Sequence, residues 1–127
     1  MTPLEKTMKT ILIVDDDPDM RKLATIILSK EGYGIIEAED GSIALDLVKV
    51  KMPDLIISDV MMANVNGFML YEMLQDDPVT KDIPIIFVTG EAQRAGAWDS
   101  NPNVEYLEKP IVMQQLIDAV RKVMKHK

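Results

Sequence analysis

At 127 residues and 47% hydrophobic content, the chain is long enough for one domain with a core on both faces of a sheet. It has no cysteine, which excludes disulfides, thiol nucleophiles and zinc-thiolate sites and fits a reducing cytosol. The net charge of −7 argues against binding nucleic acid through this domain, and no stretch approaches the roughly 20 apolar residues of a membrane span. Residues 1–9 form a polar tail without the apolar core of a signal peptide, so a cytoplasmic protein is expected.

Ile11-Leu12-Ile13-Val14 reads as a first strand ending on Asp15 and Asp16. Met20, Leu23, Ala24, Ile27 and Leu28 then recur at helical spacing, opened by Asp17-Pro18 and closed by Gly32. A second strand runs from Tyr33 to Ala38. After it, Asp40-Gly41-Ser42 starts a helix carrying Ile43, Ala44, Leu47 and Val48 on one side, ended by Pro53. A third strand over residues 54–58 ends on Asp59. Asn66-Gly67 begins a helix with Leu70, Met73 and Leu74 inward, stopped by Asp76-Asp77-Pro78. A fourth strand over 84–88 ends on Thr89. Glu91 to Trp98 spans about two helical turns, roughly 12 Å, before the turn cluster Asp99-Ser100-Asn101-Pro102-Asn103. Tyr106-Leu107-Glu108 is a fifth strand ending on Lys109-Pro110. A last helix carries Met113, Leu116, Ile117, Val120 and Met124, and its basic residues Arg121, Lys122 and Lys125 lie where the helix dipole favours them.

Strands alternating with helices in this order predict an α/β fold with a parallel, doubly wound sheet, five strands flanked by five helices, the fourth short or irregular. The nearly continuous apolar character of three of the strands fits burial on both faces. In such sheets ligands sit outside the carboxyl ends of the strands, where the winding reverses. Asp15, Asp16, Asp59, Thr89 and Lys109 all fall at those ends.

Singly, each of these residues has an ordinary reading. The aspartates at 15–17 could cap a helix, Thr89 could be a strand-end hydroxyl, and Lys109 a surface cation. Together they are less ordinary, because two carboxylates about 4 Å apart repel by about 4 kcal/mol at an effective dielectric of about 20. A third carboxylate opposite them calls for a cation or for raised pKa values. Mg²⁺, a small hard ion that takes oxygen ligands and retains waters, fits that need. The single histidine, His126, reads as a solvated tail residue, and the ten methionines as gap-filling core.

The constellation resembles the receiver domain of two-component response regulators. The resemblance extends from Ile11 to the last helix and rests on Val14-Asp15-Asp16, on Asp59 followed by Met62 and Asn66-Gly67, on Thr89-Gly90 and on Lys109-Pro110. It implies a flavodoxin-like sheet of strand order 2-1-3-4-5. It also implies that Asp59 takes a phosphoryl group from a phosphohistidine on a sensor histidine kinase or phosphotransfer protein, the domain catalysing its own phosphorylation and dephosphorylation. Mg²⁺ would be ligated by Asp16 directly, by Asp15 through water, by Asp59 and by the main-chain carbonyl of Met61, with Lys109 neutralising charge from the other side. Thr89 and Tyr106 would be the switch pair that alters binding of a downstream target. A cis Lys109-Pro110 peptide would aim the lysine inward, and Gly90 would leave room for the phosphoryl group.

Three positions depart from the family pattern. Ala63 replaces a usual proline, Asn66 replaces a usual aspartate, and Met61 puts a bulky side chain where it would hinder an attacking water. The segment between Thr89 and Lys109 is slightly short, and its Trp98 is either a core anchor or a partner contact. Other classes fit less well. A calcium loop would need glycine at Met20 and glutamate at Ile26. A haloacid-dehalogenase-type phosphatase would use Asp15 as nucleophile and a longer core. A flavin or dinucleotide site would need glycines in place of the aspartates of the first turn. The strongest rival is a receiver-like scaffold that is never phosphorylated. If the chain is complete, its output is docking alone; if it continues, an effector domain would follow Lys127.

Overall fold

The computed structural model describes residues 8–62, 64–90 and 101–125. The strands are β1 (Thr10–Val14), β2 (Gly34–Ala38), β3 (Leu55–Asp59), β4 (Ile85–Thr89) and β5 (Val104–Glu108). The helices are α1 (Pro18–Lys30), α2 (Gly41–Lys51), α3 (Gly67–Gln75) and α4 (Met113–Met124). All neighbouring strands pair in parallel, in the order β2-β1-β3-β4-β5. The chain starts near the middle, winds outward to β2, and returns across β1 to build the other half. That reversal lies between β1 and β3.

Side-chain alternation sorts the core into two layers. Ile11, Ile13 and Ile57 face α1 and α4, whereas Leu12, Val14 and Ile56 face α2 and α3. β3 and β4 are buried along their whole length because helices cover both faces, as their continuous apolar sequence predicts.

The helix starts follow from local chemistry. Side chains of Asp17, Asp40 and Asn66 accept hydrogen bonds from the backbone N–H groups of Asp19 (2.9 Å), Ile43 (3.0 Å) and Met69 (2.8 Å), satisfying donors that the first turn leaves open. Asp17 therefore caps a helix and Asp19 lies inside it, an arrangement with no calcium loop. α2 stops at Met52, which takes the left-handed conformation (φ 46°) directly before Pro53.

Several expected helix faces need correction. The methionines expected as gap-filling core do not all fill it, since Met8, Met52, Met61, Met69, Met73 and Met113 are exposed. Leu23, Ile43 and Met73, expected inward, are 38–42% exposed. Each sits at the margin of its helix's apolar stripe, whose centre is set by Ala24, Ile27 and Leu28 in α1, by Ala44 and Val48 in α2, and by Leu70, Tyr71 and Leu74 in α3. Four helices, rather than five, are found among the described residues. The helix expected over 91–98, together with Trp98, Ala63 and His126, lies outside them. Of the expected turn cluster, residues 101–103 do turn, with the Asn101 side chain accepting from the backbone N–H of Asn103 at 2.8 Å. Among the described residues, no helix is long and apolar enough to cross a membrane.

Candidate functional site

Strand register brings the chemistry together. Val14 pairs with Ser58, so the next residues on β1 and β3, Asp15 and Asp59, leave the sheet at the same level. Asp59 pairs with Val88, and Thr89 with Glu108, which sets Thr89 and Lys109 beside them. The Lys109 N–H donates to the Thr89 carbonyl at 2.8 Å, and the Lys109–Pro110 peptide is cis.

Asp15, Asp16 and Asp59 each present a carboxylate oxygen, all within 4.8 Å of one another. Asp15 and Asp59 are buried and Asp16 is exposed. Lys109 Nζ lies 3.1 Å from Asp59 Oδ2 and 3.8 Å from Asp15 Oδ2. The other Asp59 oxygen, Oδ1, accepts from the Met61 N–H at 3.2 Å. One ammonium thus faces three carboxylates. Burial pushes the Asp15 carboxyl up to about 6; the Asp17 N–H and Lys109 oppose that shift, and the Asp59 and Asp16 charges add to it. Burial lowers the Lys109 pKa, but the bond to Asp59 and the charges of Asp15, Asp59 and Asp16 outweigh it and the net shift is upward. Such a donor set, all oxygen, clustered and short of positive charge, suits a hard divalent cation that keeps part of its water shell.

Backbone contacts hold this geometry. Gly67, at the first position of α3, packs so closely on β3 that a Cβ there would stand 2.5 Å from the Asp59 carbonyl oxygen. The start of α3 is therefore seated directly beneath the Asp59 turn. Asp15 is fixed on three sides: its N–H donates to the Ala38 carbonyl (3.1 Å), its carbonyl accepts from Arg21 Nη1 (2.6 Å), and its Oδ1 accepts from the Asp17 N–H (2.9 Å).

Thr89 is buried, and its hydroxyl donates to the Gly90 carbonyl at 2.9 Å. Tyr106 is half-buried on β5, its ring 5.6 Å from Phe87. Phe87 in turn makes edge-to-face contacts with Phe68 (4.9 Å) and Tyr71 (5.8 Å) of α3. Met61 has an exposed side chain (60%) beside the Asp59 turn.

The sequence-predicted residues Asp15, Asp16, Asp59 and Lys109 therefore form one cluster, with Met61 bonded to it through its N–H and Thr89 alongside through the backbone. Tyr106 reaches that neighbourhood through Phe87. Sequence reasoning missed Arg21. The available signal was a cation in the opening turns of α1, where the helix dipole disfavours positive charge and another reason for it is needed.

A family model described as the response regulator receiver domain matches residues 11–121. Protein PilH of Pseudomonas aeruginosa is 33% identical over 119 residues, covering 92% of this chain and 98% of PilH. The DNA-binding dual master transcriptional regulator RpaA of Synechocystis is 35% identical over 121 residues, which are 93% of this chain and 50% of RpaA. Among solved structures, the chemotaxis protein CheY4 of Vibrio cholerae superimposes with a TM-score of 0.83 at 28% identity, covering 92% of this chain and 99% of that one.

Proposed function

Because the chain belongs to the receiver-domain family of two-component response regulators, we propose that Asp59 is its phosphoryl acceptor and that a phosphohistidine on a sensor kinase or phosphotransfer protein is the donor. The observation that carries this reading is the placing of Asp59 against Lys109 Nζ (3.1 Å) within a triad of carboxylates whose oxygens lie within 4.8 Å. An Asp59 carboxylate oxygen attacks phosphorus; the O–P bond forms as the P–N bond breaks, and the imidazole nitrogen leaves with the electron pair. Positioning and charge stabilisation dominate such transfers, since little covalent chemistry is left to the protein.

Lys109 meets the developing charge as a compact cation whose raised pKa keeps it protonated at neutral pH. Asp15, Asp16, Asp59 and the main-chain carbonyl of Met61 would hold Mg²⁺, which when bound neutralises charge on the transferring phosphoryl oxygens. Thr89 would exchange its bond to the Gly90 carbonyl for one to a phosphoryl oxygen. That movement frees space beside β5 for Tyr106 to rotate, and the packing change carries the signal to whatever docks on that side.

The calcium-loop and dehalogenase-type readings are not favoured, the second because it would make Asp15 the nucleophile. The scaffold reading differs in one measurable respect. Incubation with a small acyl phosphate and Mg²⁺, followed by intact mass measurement, should add one phosphoryl group to the wild type and none to Asp59→Asn. A wild type that gains no mass would point to the scaffold instead.

A further inference from the structure

We infer that Arg21 is a positioning residue for the metal site, locking the peptide that joins Asp15 to Asp16. The inference rests on the reading of that acidic cluster as the Mg²⁺ site. Its basis is a forked contact. Arg21 Nη1 donates to the Asp15 carbonyl at 2.6 Å while Arg21 Nε donates to Glu37 Oε1 on β2 at 3.2 Å. The second Glu37 oxygen accepts from the Thr25 hydroxyl of α1 at 3.1 Å. The Arg21 side chain is 18% exposed, and both its Nη1 and its Nε have acceptors that fix the plane of the guanidinium.

The Asp15 carbonyl belongs to the peptide plane that leads into Asp16. The N–H of Asp15 is already fixed on Ala38, and its Oδ1 on the Asp17 N–H. Arg21 supplies the remaining constraint, and with it the direction in which Asp16, the exposed member of the triad, leaves the strand. Only a planar fork can hold the carbonyl and the carboxylate at once; a lysine ammonium at the same site lacks the rigid spread of donors. Groups that orient metal ligands from behind commonly contribute ten- to a hundredfold in affinity.

Charge and position predict opposite results here, which makes the role testable. If Arg21 acted only through its charge, removing it would strengthen binding of a cation nearby. If it acts by position, removing it weakens binding.

Isothermal titration calorimetry of the full chain with Mg²⁺ alone, at neutral pH, separates these. Circular dichroism and thermal melting would be followed on the same samples. Arg21→Met, which keeps the apolar stem, is expected to raise the Mg²⁺ dissociation constant by roughly tenfold. Arg21→Lys, which keeps the charge, should raise it by a smaller factor. Arg121→Met removes an equal charge from the pair with Glu31, which has no part in holding Asp15, and should leave Mg²⁺ affinity as in the wild type. Wild-type affinity in Arg21→Met and Arg21→Lys, or tighter binding in Arg21→Met, would overturn the positioning role alone. A wild type that binds no Mg²⁺ would overturn the metal-site reading and this role with it.

Discussion

Lys109 directly follows β5 and Asp59 ends β3, two strands that do not pair, yet across 50 residues of chain their side chains meet at 3.1 Å beyond the end of β4. The contact depends on the register of two successive strand pairs, and it sets the one ammonium in the cluster against the proposed acceptor. Lys109→Ala should leave the fold intact, since this side chain is partly exposed, and should slow phosphorylation by a small acyl phosphate by roughly a hundredfold, the scale of losing one electrostatic stabiliser. Time courses by intact mass would measure it, and a rate equal to the wild type would remove Lys109 from the mechanism.

Gly67 offers a test of how tightly the acceptor turn is seated. A Cβ at this position would stand 2.5 Å from the Asp59 carbonyl oxygen and 3.1 Å from Ser58 Oγ, both in buried residues that cannot swing aside. Gly67→Ala should therefore cost about 1–3 kcal/mol in urea unfolding, as overpacking does, and should also reduce phosphorylation at Asp59. An unchanged unfolding midpoint would show that α3 can shift outward at little cost.

Met52 makes the opposite case. It holds a left-handed backbone conformation (φ 46°) that an L side chain adopts at a cost of about 1–2 kcal/mol, and its side chain is substantially exposed. Met52→Gly should raise stability, by about 1 kcal/mol once the lost apolar contact is subtracted, with the rise read from the denaturant midpoint.

Acid titration of the metal-free protein should show two opposing slopes. Asp15 titrates near 6 in the fold against an ordinary 3.8, so between these values the folded state holds the extra proton and stability falls as pH rises through them. Asp40 has a lowered pKa, first because of the Ile43 N–H and then the Ser42 hydroxyl, so its contribution is present above 3.8 and disappears as pH falls through its folded pKa. Thermal melts in chelator should accordingly peak near about pH 4 and decline through about pH 6, and Asp15→Asn should flatten that decline. Mg²⁺ added at pH 7 should restore stability to the wild type, because it supplies the positive charge the cluster lacks. A melting temperature that climbs steadily from pH 5 to 7 without metal would contradict the assignment of the raised pKa to Asp15.

The ends of the strands were legible in the sequence because each apolar run is followed at once by a residue with chemistry, and parallel strands put such residues on one edge whatever their spacing along the chain. The caps at Asp17, Asp40 and Asn66 were legible for a similar reason: the contact is made within three residues. What stayed hidden depends on neighbours distant in sequence. Gly67 reads as a helix start, and nothing near it in the chain announces that β3 leaves no room for a side chain. Tyr71, to which the sequence assigns no role, is buried, and Asn101, 30 residues on, donates to its hydroxyl at 2.9 Å. Arg21 looks like one polar residue on a solvated helix face until β1 and β2 bring it two acceptors. Leu23 and Met73 were misplaced because periodicity locates an apolar stripe to within about one residue, and a residue at its margin goes to whichever side the neighbouring helix leaves open.

Met61 carries a prediction about a different property, the lifetime of the proposed phosphorylated state. Its N–H is bound to Asp59 Oδ1 at 3.2 Å, which ties the main chain to the acceptor, while its side chain is 60% exposed over the same turn. Hydrolysis requires a water to approach phosphorus opposite the Asp59 oxygen. A thioether at the rim offers that water only a weak acceptor and excludes volume it would occupy. Met61→Asn replaces the obstacle with a shorter side chain that can donate and accept, so it should shorten the phosphoryl half-life several-fold without altering the unfolding midpoint, since little apolar area is lost. Decay of the phosphorylated mass after removal of donor would be compared for the two proteins. Equal decay rates would free Met61 of any part in protecting the acyl phosphate, and would place the control of hydrolysis elsewhere around the cluster.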